Sequence, residues 1–437
     1  MNKLNYYKYF ILNLFVVLVV FIFNFIIKLI TPNYFICNNI ADYKILNIQV
    51  SYPISCDQES YYSAIRNIDT LFIEGYLYQG RPLYILINNI LSKLIDAVTL
   101  FKIQDIDNVI HISIIVLNTV CIFVTILLII KVLNLESYIN NINYISISLI
   151  LTASPLFKWG VFDPSNQLWT AVIIMFFTNL LINNSINLSY RNSLIIGILV
   201  LIHRTFIIGY ILFFLILLIE QKIEFSIKNL ISIFKMITVS LIPFIAYNLF
   251  ILLIEGQMPY DENSSYYGQF IWLPLLIFTT KRYEGGWHCM DIPDFVGCYL
   301  VDNIQLIIYM LLPIIFLLIS HPLSLFKNDL IINQLVKFTF FMYLFYMFIG
   351  WYPPIRFSYY SIGNLFVIMN IYLLLKEKNN ILKFLHTFSL LTYFTYLNHW
   401  NFEGIVDLNS GIYISYIILF IYGLVKLKFS RESNIER

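Results

Sequence analysis

Long apolar stretches recur along almost the whole chain, and they constrain its fold more than any other feature. The longest of them reach the roughly 20 mostly apolar residues that a membrane-crossing helix needs. Of the 437 residues, 59% are hydrophobic and 12% are charged, whereas soluble domains have roughly 45–50% and 25%. The stretches lie near 9–30, 109–133, 142–157, 168–183, 193–202, 205–219, 236–254, 303–320, 337–351, 360–375, 381–397 and 411–427. The sequence therefore predicts an all-α integral membrane protein, a single polytopic domain over 1–437 with about twelve transmembrane helices.

The pair His203-Arg204 interrupts one apolar run, 193–219. A single helix through this run would leave an arginine near the middle of the membrane, where a charge is unfavourable. Two shorter helices that meet at the pair would bring it to a membrane face. We predict the second arrangement.

Residues 83–100 are amphipathic at helical spacing and are predicted to lie in the membrane interface without spanning it. Their polar positions are Asn88, Asn89, Ser92, Lys93 and Asp96. With this assignment, one orientation puts most of the lysines and arginines that flank the other stretches in the cytoplasm, as the positive-inside rule expects. Both termini are then cytoplasmic, and the first stretch is retained, because no small-residue cleavage site follows it. Residues 31–108 and 255–302 become large extracytoplasmic loops, the first of which carries interfacial helices.

The first of these loops concentrates charge just outside a membrane helix, where a polytopic protein commonly keeps its functional site. Its charged residues include Asp57, Glu59, Arg66, Asp69, Glu74 and Arg81. We therefore expect the chemistry of this protein to involve this loop.

Four of the five cysteines fall in the two large outer loops. Cys37 with Cys56, and Cys289 with Cys298, are candidate disulfides, which suits an oxidising compartment. Unpaired loop thiols are the alternative.

Four motifs follow one another along the chain. The first is Asp57-Gln58-Glu59-Ser60-Tyr61-Tyr62, followed by Gly75-Tyr76 and Arg81-Pro82-Leu83-Tyr84. The others are Ser154-Pro155 with Asp163-Pro164, then Gly197 with His203-Arg204, and finally Trp351-Tyr352-Pro353-Pro354-Ile355-Arg356. In their order and sidedness these motifs resemble the GT-C superfamily of polytopic glycosyltransferases, which includes lipid-linked mannosyl- and arabinosyltransferases.

This resemblance implies a GT-C-like fold and transfer of a sugar from a polyprenyl-phosphate-linked donor to an extracytoplasmic glycan, lipid or protein acceptor. Asp57 matches the catalytic acid of the family and is expected to act as the base. Gln58 replaces the commoner second acid, so Glu59 and Asp163 are the candidates for a second acid or for acceptor binding. Asp163 fits a helix N-cap equally well.

The departing lipid phosphate requires cations. The candidates that face outward in this topology are Arg356, Arg204, Lys281 and Arg282. Arg356 is the first choice because two prolines precede it, although an interfacial anchor beside Trp351 is the alternative role. Arg81 and Tyr61 are expected to support the first loop.

No cofactor is predicted, and the sequence gives no support for a divalent metal. Asp105-Ile106-Asp107 imitates the D-x-D motif of soluble glycosyltransferases but has no nucleotide-binding fold around it. One histidine, His288, with thiols expected to be oxidised makes a poor ligand set. A net charge of +2 also argues against nucleic acid as a partner.

Two other classes of protein remain as alternatives: a transporter of lipid-linked glycans or polysaccharide (a flippase), and an O-antigen-type polymerase. Transporters keep ionisable residues near the middle of the membrane, whereas the apolar stretches here contain almost no charge. A polymerase is expected to place its main arginine-rich loop late in the chain. The sequence thus favours a multi-pass transferase of a bacterial plasma membrane, with membrane lipids around it and its active site on the extracytoplasmic face.

Overall fold

The computed structural model is built almost entirely of helices in the part of the chain that it describes. That part comprises residues 6–30, 40–45, 48–53, 58–72, 80–98, 106–154, 157, 161, 168–183, 189–256, 330–349, 364–377, 379–396, 417–418 and 420–425. Its helices are α1 (Tyr6–Ile30), α2 (Gln58–Arg66), α3 (Pro82–Val98), α4 (Ile106–Val132), α5 (Asn141–Ala153), α6 (Trp169–Asn183), α7 (Tyr190–Val200), α8 (Thr205–Ile219), α9 (Ile227–Glu255), α10 (Leu330–Ile349), α11 (Asn364–Lys376) and α12 (Asn380–Tyr396). Short 3-10 helices cover Ile68–Phe72 and Glu136–Tyr138, and residues 417–418 and 420–425 are also helical.

The predicted helical class is confirmed, with one exception in the first loop. Strands β1 (Ile40–Ile45) and β2 (Ile48–Pro53) pair antiparallel, in a register that runs from Ile40 opposite Pro53 to Ile45 opposite Ile48. This hairpin was not predicted from the sequence. Both strands contain the β-branched and aromatic residues that favour extended backbone.

The chain divides into two compact units. The first unit comprises Met1–Tyr34, Ile122–Trp159 and Leu273–Arg437. In it, α5 packs against α1, α11 and α12. Polar side chains join these apolar helices: the Ser148 hydroxyl donates to Asn13 Oδ1 at 2.6 Å, and His386 Nε2 lies 3.0 Å from Asn370 Oδ1. Such buried pairs stabilise helix contacts in an apolar bundle.

The second unit comprises Phe35–Cys121 and Gly160–Trp272. Here α7 packs against α8 and α9, and α6 packs against α8. Gly197 permits a close approach of α7 to α9. A Cβ on Gly197 would overlap the Ser240 carbonyl oxygen and lie 2.8 Å from Pro243 Cδ. This packing therefore positions α7 directly against the middle of α9.

Helices α7 and α8 fold back on each other at residues 201–204. The Ser193 and Tyr210 hydroxyl oxygens are 2.8 Å apart, although 17 residues separate them in the sequence. A continuous helix would hold those residues about 25 Å apart. The prediction of two shorter helices that meet at His203-Arg204 is therefore confirmed.

Two helices in the described part of the chain, α4 and α9, are long and apolar enough to cross a membrane. Only 11% of the most apolar window of α9 is buried within the protein. Large apolar side chains are exposed along it, such as Phe234 at 71% and Leu253 at 83%. An apolar helix exposed in this way is suited to a lipid environment. The predicted helix at 303–320 lies outside the described residues.

Candidate anion-binding site

Two arginines precede two helices that begin at the same place in the second unit. Arg81 comes directly before α3, and Arg204 directly before α8. The backbone N–H of Leu83 donates to the carbonyl of Leu201 at 3.1 Å. This hydrogen bond joins the start of α3 to the turn between α7 and α8, and thereby brings the two arginines into one region.

Gly80 lies directly against the guanidinium group of Arg204. A Cβ at this position would overlap the guanidinium atoms of Arg204. On another side, Arg204 Cζ is 5.8 Å from the centre of the Phe244 ring, which is within the range of a cation–π interaction. The absence of a side chain at Gly80 and the ring of Phe244 together determine where this cation lies.

The side chain of Arg81 is held by α2. Its Nη1 donates to the hydroxyl of Tyr61, which is 1% exposed. The Tyr61 ring packs edge-to-face on Tyr84, with ring centres 6.2 Å apart. Because Tyr61 belongs to α2, which begins one residue after Asp57, this contact connects the segment after Asp57 with the arginine region.

His203 directly precedes Arg204 in the turn between α7 and α8. Its Nδ1 accepts a hydrogen bond from the backbone N–H of Thr205 at 3.3 Å and also contacts the Thr205 hydroxyl. Because Nδ1 is an acceptor here, the ring proton is on Nε2. Arg81 and Arg204 both lie close enough to interact electrostatically with the ring, so the Nε2–H is a further hydrogen-bond donor in the same region.

A buried polar layer supports the start of α3. The Tyr84 hydroxyl donates to Asn118 Oδ1 at 3.4 Å, and the Ser113 hydroxyl lies 3.4 Å from Asn88 Oδ1. Asn89 Nδ2 donates to the Ile65 carbonyl at 2.6 Å.

The polar positions 88, 89 and 92 of α3 are buried, whereas its apolar residues Leu86, Ile90, Leu94 and Val98 are 39–77% exposed. Helix α3 thus buries a polar face and exposes an apolar one, as expected of a helix that contacts lipid.

The arrangement is suited to binding an anion. Two guanidinium groups lie near the starts of two helices, and the N-terminus of a helix carries partial positive charge. Arginine forms strong, paired hydrogen bonds with phosphate and carboxylate oxygens. A third donor, His203 Nε2, lies in the same region. Among the described residues, no three His, Cys, Asp or Glu side chains are grouped as a metal site.

Of the site residues predicted from the sequence, the structure brings together Arg204, Arg81 and Tyr61. The backbone of Glu59 lies in the first turn of α2. The predicted residues that lie outside the described part of the chain are Asp57, Asp163, Lys281, Arg282, Arg356, Cys37, Cys56, Cys289 and Cys298. The one cysteine that the structure describes, Cys121, is buried in α4.

The contacts that Gly80 and Phe244 make with Arg204 were not predicted from the sequence. Gly80 lies in the charged first loop, but nothing in the sequence indicates which residue it contacts, and Phe244 is one of many apolar residues in α9. Their roles depend only on their proximity to Arg204. Comparison of the chain with protein-family models, with curated proteins and with solved structures finds no match.

Proposed function

We propose that this protein is a multi-pass membrane glycosyltransferase that moves a sugar from a polyprenyl-phosphate-linked donor to an extracytoplasmic acceptor. The observation that carries the proposal is the convergence of Arg81 and Arg204 at the start of two helices. This pair provides the positive charge that a lipid phosphate requires as donor and as leaving group. Helix α2, which follows Asp57 in the sequence, contacts Arg81 through Tyr61.

The membrane part of the proposal is supported by α4, by α9 and by the exposed apolar face of α3. The shorter apolar helices α5, α6, α7 and α8 are part of the same pattern. Under this proposal about twelve helices lie in the membrane, both termini are cytoplasmic, and the first loop is extracytoplasmic. Outside the cytoplasm a nucleotide sugar is not available, so a lipid-linked donor is the expected substrate.

In the proposed reaction, the acceptor hydroxyl oxygen attacks the anomeric carbon of the sugar while Asp57 takes the hydroxyl proton. The bond between the anomeric carbon and the phosphate oxygen breaks. The lipid phosphate leaves with the electron pair of that bond, and Arg81 and Arg204 neutralise the charge that develops on it. The configuration at the anomeric carbon inverts, and Asp57 is left protonated until water removes the proton.

The test uses the purified protein in lipid nanodiscs with a panel of polyprenyl-phosphate sugars and records the loss of each lipid-linked species. We expect turnover of at least one donor, and we expect Asp57→Asn and Arg204→Gln to abolish it while the protein stays folded. Arg66→Gln is the matched control, because Arg66 lies in the same loop but pairs with Asp107 at the exposed end of α4. Full activity of Asp57→Asn would end the assignment of the base.

A second candidate, a flippase for lipid-linked glycans, is favoured by one observation. Arg204 lies against Phe244, close to the middle of the apolar stretch 236–254, and transporters bind their substrates at this depth. Translocation of a fluorescent lipid-linked glycan across a proteoliposome, with no turnover of any donor in the panel, would select the flippase over the transferase.

A further inference from the structure

Helix α9 provides a scale for the depth of the arginine pair. Its longest part without a charged residue, 236–254, has 19 residues. This part is about 28 Å long, which matches a hydrocarbon layer of about 30 Å. Phe244, whose ring is 5.8 Å from Arg204 Cζ, is about 12 Å from one end of that part and about 15 Å from the other. On this scale Arg204 lies close to the middle of the membrane.

Helix α4 gives a second, independent scale. Tyr84 is hydrogen-bonded to Asn118, and Asn88, one turn later in α3, is hydrogen-bonded to Ser113, which comes earlier in α4. Helix α3 therefore lies antiparallel beside the first half of α4. The apolar part of α4 begins at Val109, and Asn118 is about 14 Å further along the helix. The start of α3, beside Arg81, is therefore at nearly the same depth that α9 gives for Arg204.

The hairpin of α7 and α8 is too short to cross the membrane. Its helices have 11 and 15 residues and are about 17 and 23 Å long, against a layer of about 30 Å. The open end of the hairpin carries the exposed residues Arg191 and Lys222. Gly197 packs on Ser240 and Pro243, and Arg204 lies against Phe244, so α7 runs in the same direction as α9. The open end of the hairpin therefore lies near the basic start of α9, which contains Lys228 and Lys235.

We infer that the α7–α8 hairpin enters and leaves the membrane on one face, and that its tip at 201–204 holds the phosphate group of a membrane amphiphile near the middle of the bilayer. Non-helical backbone is tolerated at this depth only where protein or a polar cavity surrounds it. Gly80, Arg81 and the start of α3 provide such surroundings. The exposed stripe of Leu86, Ile90 and Leu94 contacts the acyl chains beside the site.

This inference deepens the proposed function and rests on its placement of the chain in a membrane. It differs from the sequence prediction in two respects. The His203-Arg204 pair lies inside the membrane and not at its face, and α3 descends along α4 and does not lie flat in the interface. The ligand is an amphiphilic phosphate that arrives laterally through lipid, and not a soluble anion.

Depth is tested with a tryptophan introduced beside the site. Phe244→Trp is reconstituted in bilayers whose lipids carry bromine either deep or shallow in the acyl chain, and the emission of the wild-type protein, which has 6 tryptophans, is subtracted. We expect the deep bromines to quench the added emission more strongly. The matched control is Phe225→Trp, at an 80% exposed position just before α9, which the shallow bromines should quench more. Equal behaviour of the two variants would overturn the inference.

The ligand is tested by thermal unfolding of the protein in nanodiscs that contain a polyprenyl monophosphate. Two further samples serve as controls: nanodiscs with the neutral polyprenol of the same length, and nanodiscs without either lipid but with inorganic phosphate in the buffer. We expect a higher Tm with the lipid phosphate alone, loss of this shift in Arg204→Gln, and retention of it in Arg66→Gln. An equal shift with inorganic phosphate, or no shift with the lipid phosphate, would refute an amphiphile site. A lipid-phosphate shift without any sugar transfer would refute the transferase and leave this site standing.

Discussion

Replacement of Gly80 by alanine tests the site through a single methyl group. The added Cβ would overlap the Arg204 guanidinium, which must then move by about an ångström or more to reach an ordinary contact of about 3.5–4.0 Å. A misplacement of about 1 Å at a catalytic group can lower a rate about 100-fold. Because the group that moves is the end of a flexible side chain, the protein should remain folded.

We therefore expect Gly80→Ala to lower the rate of sugar transfer about 100-fold and to reduce the Tm shift with polyprenyl monophosphate, while the Tm without ligand changes little. The assay is the initial rate of donor consumption in nanodiscs, measured beside thermal unfolding of the same preparation. A normal rate with a normal ligand shift would refute the assignment of Arg204 to the site.

Two other glycines provide matched controls for the same substitution. At Gly197 the new Cβ would meet the Ser240 backbone, which cannot rotate away, so Gly197→Ala should lower stability by about 1–3 kcal/mol or more. At Gly423 no atom lies within 4 Å of the added Cβ, so Gly423→Ala should change neither stability nor activity. If all three variants behaved alike, the local geometry described here would not explain their effects.

Changes at two further polar contacts have separate expected results. Tyr61→Phe removes the acceptor of the Arg81 hydrogen bond, worth about 1 kcal/mol, and should lower the initial transfer rate several-fold with little change in Tm. An unaffected rate would exclude Tyr61 as a support of the site. Ser148→Ala removes the donor to Asn13 and should lower stability by about 1 kcal/mol without altering the lipid-phosphate shift, and a lost shift would contradict the separation of that contact from the site.

The helical class and the two longest apolar helices could be predicted from the sequence because they depend on local properties. The free energy of transferring a helix into hydrocarbon depends on the length of the helix and on the summed transfer free energies of its side chains. Both can be read from the sequence without knowledge of any contact. The break at His203-Arg204 was predicted for the same reason, since a charged residue in an apolar run is visible in the sequence alone. The hairpin at Ile40–Pro53 was missed because strand formation depends more on neighbouring strands than on composition.

The site itself required the tertiary structure. Arg81 and Arg204 are 123 positions apart, and different roles were predicted for them from the sequence: Arg81 as a support of the first loop and Arg204 as one of four candidate phosphate ligands. Their convergence depends on the Leu83–Leu201 hydrogen bond and on the space left by Gly80. The depth inferred for the hairpin tip likewise rests on packing, because it follows from the helices beside the tip and not from the residues of the tip itself. Local composition determined that this chain is suited to a lipid environment, whereas only contacts between distant segments decided which of its cations lie together.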